Sequence, residues 1–515
     1  MRLPIQSLAH GWLIVLCFLI LLPTNMRAGL PEKIKQTEQY QIYMNLNQVI
    51  DDKLKVEIIV PVIEEQEIEY HIPKIVPGTY AVYDFGRFIS EFSAQDQQGE
   101  ALEVEQLSEN RWKIKEASRL YKISYLVDDS FDSDLDNHVF EPAGTNIEQG
   151  KNFIINNHGF FGYLEGHKRQ PFKVNISRPS GFYGATSLNL VSSEDDTDVF
   201  LVDNYMDFVD SPIMYNRPDT ITQMIGGAKV LVSVYSPNDV LSARFVMDNI
   251  KEILSAQKEY LGGTLPVDRY SFIIYLFKGK SGSGGYGALE HSYSSVYFLP
   301  EVDPEALVKT VRDVSAHEFF HIVTPLNIHS EEIHNFNFIE PKMSKHLWLY
   351  EGLVEYFAHH VQVKHGLISF QDYLDNIQQK MEVADRFKDD LPFTELSAKC
   401  LDEHKDQYYN VYQKGALIGM CLDIQLRNLS NGKYGIQELM ADLSKSYGQH
   451  QAFKDEELFA KIEELTFPET GEFLRTYVDG PSSLPIRESL ALAGINYDAE
   501  KVEKQISMGN ISLGI

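Results

Sequence analysis

Cysteine and tryptophan are scarce in this 515-residue chain, with three of each. So few thiols exclude a small fold stapled by a disulfide framework. Cys17 falls inside an N-terminal apolar run and lacks the small residues that precede a lipidated cysteine, which argues against a lipoprotein. Cys400 and Cys421 remain, and the sequence leaves their pairing open. Basic residues are also in deficit: 46 Lys and Arg face 74 Asp and Glu, for a net charge of −28. Such a surplus of acid disfavours nucleic acid and anionic membranes as partners. Long hydrophobic runs are missing too. The stretch from Trp12 to Leu22 falls short of the roughly 20 residues that cross a bilayer, but with Arg2 before it and Ala28 after it, it reads as a signal segment. Neither an internal repeat nor a low-complexity segment stands out. A hydrophobic content of 43% in a chain of this length suits a globular protein with more than one core.

The chemistry is concentrated in His317-Glu318-Phe319-Phe320-His321. Two imidazoles four residues apart on a helix face the same way and can hold one zinc ion, with Glu318 placed to take a proton from the water that such a zinc activates. The geometry requires a helix. Asp303-Pro304-Glu305 supplies an N-cap, a proline at the first position and an acid in the first turn. Leu307, Val311, Val314, Phe319 and Phe320 then recur at helical spacing, which predicts a helix over 304–323 that Pro325 ends.

A catalytic zinc takes three protein ligands and keeps one position open. Glu351 is the candidate for the third, because it lies among Leu347, Leu349, Leu353, Val354 and Phe357 in what reads as a buried helix, where a carboxylate needs a partner. Glu355, one turn later, is placed to accept from the far ring nitrogen of a ligating histidine; Asp313, one turn before His317, competes for that part. His359, His360 and His365 read as solvent-facing.

Three other motifs fail on context. Gly282 to Gly287 spells G-x-G-x-x-G, but the segment after it, His291 to Phe298, reads as strand, so no helix N-terminus is available for a pyrophosphate. It is expected to be a flexible active-site loop. Gly279-Lys280-Ser281 lacks the earlier glycine of a P-loop, and the acidic run from Asp128 to Asp136 lacks the glycine and closing glutamate of an EF-hand.

H-E-x-x-H followed by Trp348-Leu349-Tyr350-Glu351-Gly352 resembles the gluzincin metallopeptidases, the group of thermolysin and the aminopeptidase N type enzymes. Gly287-Ala288-Leu289-Glu290-His291 is similar to the strand that lines the active site of those aminopeptidases, which implies that Gly287, Ala288 and Glu290 bind substrate and that Glu290 pairs with its free amino terminus. Tyr412-Gln413-Lys414-Gly415 resembles their Tyr-x-Lys-Gly motif and implies that the Tyr412 hydroxyl steadies the tetrahedral intermediate. Pro77-Gly78-Thr79-Tyr80, continuing through Asp84 and Arg87, is similar to the β-rich N-terminal region of the glycyl aminopeptidase family. The likeness runs from about residue 35 to the end. One departure bears on substrate preference: where that family has a Trp-Asn-x-Lys-Arg type stretch, this chain reads Ile322 to His329.

The resemblance and the residue patterns together give a set of expectations. The fold is α+β, with a signal segment at 1–28, an N-terminal β-sandwich domain at 29–222, a thermolysin-like (gluzincin) catalytic domain at 223–480 with a mainly helical second half, and a tail at 481–515 where that family commonly begins a PDZ domain. The protein is expected to be an exported zinc aminopeptidase, periplasmic or secreted. It binds one Zn2+ per chain through His317, His321 and Glu351, uses Glu318 and Tyr412 in catalysis, and acts on peptides with a free N-terminus. A zinc endopeptidase of the same fold and a noncatalytic zinc-stabilised peptide-binding protein are the alternatives.

Overall fold

Alternation of buried and exposed side chains builds the N-terminal half. In Lys53–Ile59, Leu54, Val56 and Ile58 point inward while Lys55 faces water. The antiparallel neighbour Leu120–Asp128 answers in register, Val56 opposite Tyr125 and Ile58 opposite Ile123, so one face of each strand is apolar. In the computed structural model, which describes residues 38–497, these strands belong to a seven-stranded sheet backed by two four-stranded sheets. Phe153, Tyr163, Phe172 and Tyr205 lie in the core beneath them. The signal segment expected at 1–28 lies outside the described residues.

The pattern changes after Asn216, the end of the last strand of this half. A five-stranded sheet begins at Thr220 and runs in the spatial order Thr220–Ile225, Ala228–Tyr235, Arg269–Phe277, Ser294–Pro300, Gly287–His291. The middle three strands are parallel and the two edges antiparallel. Arg269–Phe277 is buried along nearly its whole length, as a central strand covered on both faces must be. The helix Ala243–Tyr260 makes the crossover between the first parallel pair, capped by Ser242, whose side chain accepts from the Phe245 amide.

Helices fill the rest. Pro304–Phe320 starts as its sequence predicts, with the Asp303 carboxylate accepting from the Glu305 amide. It stops at Phe320, three residues short of the expected end, because the amides of His321, Ile322 and Val323 bond to carbonyls three residues back and tighten the last turn ahead of Pro325. The segment around Glu351 is a π-helical turn, Trp348–Gly352, leading into the α-helix Leu353–Lys364. Phe370–Ala384 and Asn410–Leu429 pack beside it. The helix Ile486–Leu492 of the expected tail is held to the core by Leu490. Cys400 and Cys421 are buried free thiols.

His158 links this packing to pH. It is 1% exposed, its Nε2 donates to the Ala143 carbonyl at 2.8 Å, and burial pushes its pKa down to about 4. The fold therefore holds it neutral, and the associated stability is present above about pH 6.5 and lost as the pH falls towards 4, up to about 3 kcal/mol at 1.36 kcal/mol per unit. We expect a His158→Gln variant to show a shallower loss of denaturation midpoint between pH 6.5 and 4 than the wild type; parallel curves would remove His158 from the acid response.

Candidate active site

Two glycines explain how the parts of the site meet. A Cβ on Gly352 would stand 2.6 Å from the Cα of Gly415, and one on Gly415 would stand 2.8 Å from the Cα of Gly352. The π-turn and the helix Asn410–Leu429 thus touch backbone to backbone, which no larger residue permits. Glu351 directly precedes one glycine and Tyr412 lies one turn before the other, so the contact brings both to the end of the His317 helix. The π-turn itself matches the frequent use of such turns at functional sites.

His317 Nε2 lies 3.4 Å from Glu351 Oε2, and His321 Nε2 lies 3.8 Å from the same oxygen. The far ring nitrogens are engaged elsewhere: His317 Nδ1 is 2.8 Å from Glu355 Oε2, and His321 Nδ1 is 3.1 Å from the Thr324 carbonyl. A proton on each Nδ1 leaves each Nε2 lone pair free to bind a metal. Burial pushes the His321 pKa down to about 4, which keeps its ring neutral. His321 Nε2 and Glu318 Oε2 are buried with no hydrogen-bond partner among the described residues, an arrangement that costs free energy unless something else satisfies them. Two imidazoles and a carboxylate whose atoms converge within 4.8 Å, one of them orphaned, fit a zinc site with an open position.

Electrostatics favour a cation as well. Burial raises Glu318 to about 8, assisted by the charges of Glu351 and Glu355 and opposed by His317. Glu290 is pushed well above the usual carboxylate range by burial, then by Glu351 and Glu318. Glu290, Glu318 and His321 form a second convergent set. Acids crowded into a dry site gain from positive charge brought among them.

Tyr412 is one turn from the contact glycine, its ring 5.9 Å from that of His317, and its hydroxyl is 2.7 Å from the Tyr408 hydroxyl. Gly287, Ala288 and Glu290 occupy the edge strand of the five-stranded sheet, with Ala288 and Glu290 on one face. Glu290 and His321 line a cleft of about 160 Å³ together with Val76, Met206, Leu326 and Phe338.

Some expectations need correction. Asp313 does not serve His317; it pairs with Lys309 at 2.7 Å and accepts from Gln362 at 3.1 Å, because His317 Nδ1 turns across to the neighbouring helix and meets Glu355 there. His359 and His360 are not solvent-facing. His359 Nε2 is 3.1 Å from Glu355 Oε1, and His360 bonds to the Tyr260 hydroxyl at 2.8 Å with burial pushing it down to about 4. Only His365 of the three is exposed. The glycine-rich loop is pinned by Ser283, whose amide and hydroxyl both donate to Glu141, at 3.0 and 2.5 Å.

Sequence reasoning missed three contributors. Lys380 donates to Glu355 Oε1 at 2.5 Å from a helix whose spacing gives no hint of it. Tyr80 donates to Glu351 Oε1 at 2.8 Å, and Gly78 passes so close to Glu290 that a Cβ there would meet Oε1 at 2.5 Å. Both belong to the Pro77–Tyr80 stretch, and no spacing encodes a contact such as that of Tyr80 with Glu351, 271 positions along the chain.

Residues 39–217 match the peptidase M61 N-terminal domain and residues 310–418 match the M61 glycyl aminopeptidase model. Among solved structures, an aminopeptidase N family protein from Idiomarina loihiensis superposes with a TM-score of 0.77 at 20% identity, covering 88% of this chain and 78% of that one. An M1 zinc metallopeptidase from Deinococcus radiodurans, in a variant bound to a Tyr-Ser-Ala substrate, gives 0.55 at 12% identity over 88% of this chain and 95% of that one. At these identities the structures show the shared fold, a sheet-rich N-terminal domain followed by a mainly helical half. No curated protein matches the chain. Because models of one family match both its sheet-rich half and the segment that carries His317, Glu318, His321, Glu351 and Tyr412, the chain belongs to the M61 glycyl aminopeptidase family and is a metallopeptidase of the aminopeptidase type.

Proposed function

We propose that this peptidase is an exported, zinc-dependent aminopeptidase that removes N-terminal residues, small ones such as Gly or Ala, from peptides. The observation that carries the reading is the Glu290 carboxylate, which converges with Glu318 and His321 and lines the cleft. Burial and like charge hold its pKa up, and a substrate ammonium beside it favours its charged form, a charge-assisted hydrogen bond that only a free N-terminus can make.

His317, His321 and Glu351 hold the metal, which when bound supplies Lewis-acid polarisation of the scissile carbonyl and acidifies water. Glu318 accepts the water proton at its unpartnered Oε2 and returns it to the leaving amine. The Tyr412 hydroxyl donates to the carbonyl oxygen as negative charge develops there. Burial, with the charge of Glu351, keeps that phenol protonated and therefore a donor. Glu355 fixes the orientation of His317, and Lys380 keeps Glu355 charged. Export rests on the first 28 residues of the sequence; no helix among the described residues is long and apolar enough to cross a membrane.

Digestion of one peptide mixture and its N-acetylated copy, followed by mass spectrometry with a chelator control, tests the reading. Chelator-sensitive loss of single residues from free N-termini alone is expected, and Glu290→Ala is expected to raise KM for those substrates about 10- to 100-fold, the worth of a hydrogen bond to a charged group. Equal cleavage of the blocked copy would establish an endopeptidase, and no cleavage of either would favour a noncatalytic zinc-binding protein.

A further inference from the structure

Each of the three candidate metal ligands is held through the atom that faces away from the metal position. His317 is held at Nδ1 by Glu355 and His321 at Nδ1 by the Thr324 carbonyl. Glu351 divides its two oxygens: Oε2 faces both imidazole Nε2 atoms, while Oε1 accepts from the Tyr80 hydroxyl at 2.8 Å. The first two restraints come from the helical half. The third comes from the sheet-rich half.

We propose that Tyr80 is a positioning residue of the metal centre, contributed by the N-terminal half, and that its hydroxyl fixes the carboxylate of Glu351 so that one oxygen is presented to the metal. The proposal rests on the zinc peptidase reading above. Four features of the Pro77–Tyr80 turn support it. Tyr80 is 8% exposed and buried against the catalytic half, so its hydroxyl has little water to compete with Glu351. Its φ of 45° is uncommon for a residue with a Cβ, a conformation that persists where the surroundings over-determine it and that clusters at active sites. Its ring packs 5.1 Å from that of Tyr408, whose hydroxyl meets Tyr412. Gly78, at φ 82°, lies directly against Glu290. One turn of the N-terminal half thereby touches the third ligand, the amine-binding carboxylate and the tyrosine pair, and the centre is incomplete without it.

A hydroxyl that orients a ligand acts on metal affinity, which separates this role from simple packing. The test measures zinc dissociation constants by chelator competition on the full chain for the wild type, Tyr80→Phe and Tyr83→Phe. Tyr83 belongs to the same segment and is equally buried, but packs against Phe85 away from the metal ligands. Tyr80→Phe keeps the ring and is expected to weaken zinc binding at least about tenfold, as loss of a group orienting a ligand typically does. At saturating zinc kcat should fall while KM is retained. Tyr83→Phe should bind zinc as the wild type does. Unchanged affinity in Tyr80→Phe, or an equal loss in Tyr83→Phe, would overturn the proposal while leaving the peptidase reading intact. A wild type that binds no zinc would instead overturn the reading on which it rests.

Discussion

Glu318→Gln is expected to lower kcat by about 10²- to 10⁴-fold, the usual contribution of a positioned acid–base group, while zinc stays bound at one ion per chain. The substitution is isosteric, and Glu318 stands outside the His317, His321 and Glu351 set. What it removes is the ability of the buried Oε2 to take and return a proton. Stability should not suffer, because the side chain is 6% exposed and burial penalises its charged form; a neutral amide is cheaper to bury than a charged group. Single-turnover hydrolysis of a free-amine peptide, read beside zinc content, checks this. Wild-type turnover would mean that another group accepts the proton, and loss of zinc would place Glu318 among the ligands.

Tyr412→Phe is expected to reduce kcat about 10²- to 10³-fold with a small change in KM, the signature of a donor whose bond forms as charge develops on the substrate. The neighbouring hydroxyl makes the experiment sharper. Tyr408 and Tyr412 share a hydrogen bond at 2.7 Å, and both phenols are held well above the usual range by burial and then by Glu351. Whichever hydroxyl points at the substrate oxygen has the other as its support. Tyr408→Phe leaves Tyr412 in place without its partner and should cost less. The reverse order of effects, measured as kcat for the two variants side by side, would transfer the donor role to Tyr408.

The site was legible along the chain where its parts are local. His317 and His321 are four residues apart in a helix whose cap and apolar spacing are both present, so three residues of the site, Glu318 included, follow from one turn of backbone. Glu355 follows from Glu351 by the same periodicity, since residues one helical turn apart share a face. The same reasoning misplaced Asp313, which also lies one turn from His317. Which of two acids reaches an imidazole depends on where the ring points, and that is decided by the neighbouring helix. His359 and His360 were misread for a related reason, because a polar stretch after a buried one looks solvated until Lys380, Glu355 and Tyr260 are packed against it.

By itself the sequence determined the α+β class, the start of the helix that carries His317 and His321, the chemistry of the candidate ligand set, and the strongly acidic character of the chain. Each of these depends on residue type and on periodicity over a few turns, which the chain states directly. The tertiary structure alone decided that Glu351 sits in a π-turn, that Gly352 and Gly415 meet backbone to backbone, and that Tyr80 and Gly78 of the sheet-rich half close the site. Those contacts join residues dozens to hundreds of positions apart. Their geometry is set by how two cores pack together, and local propensity carries no record of it.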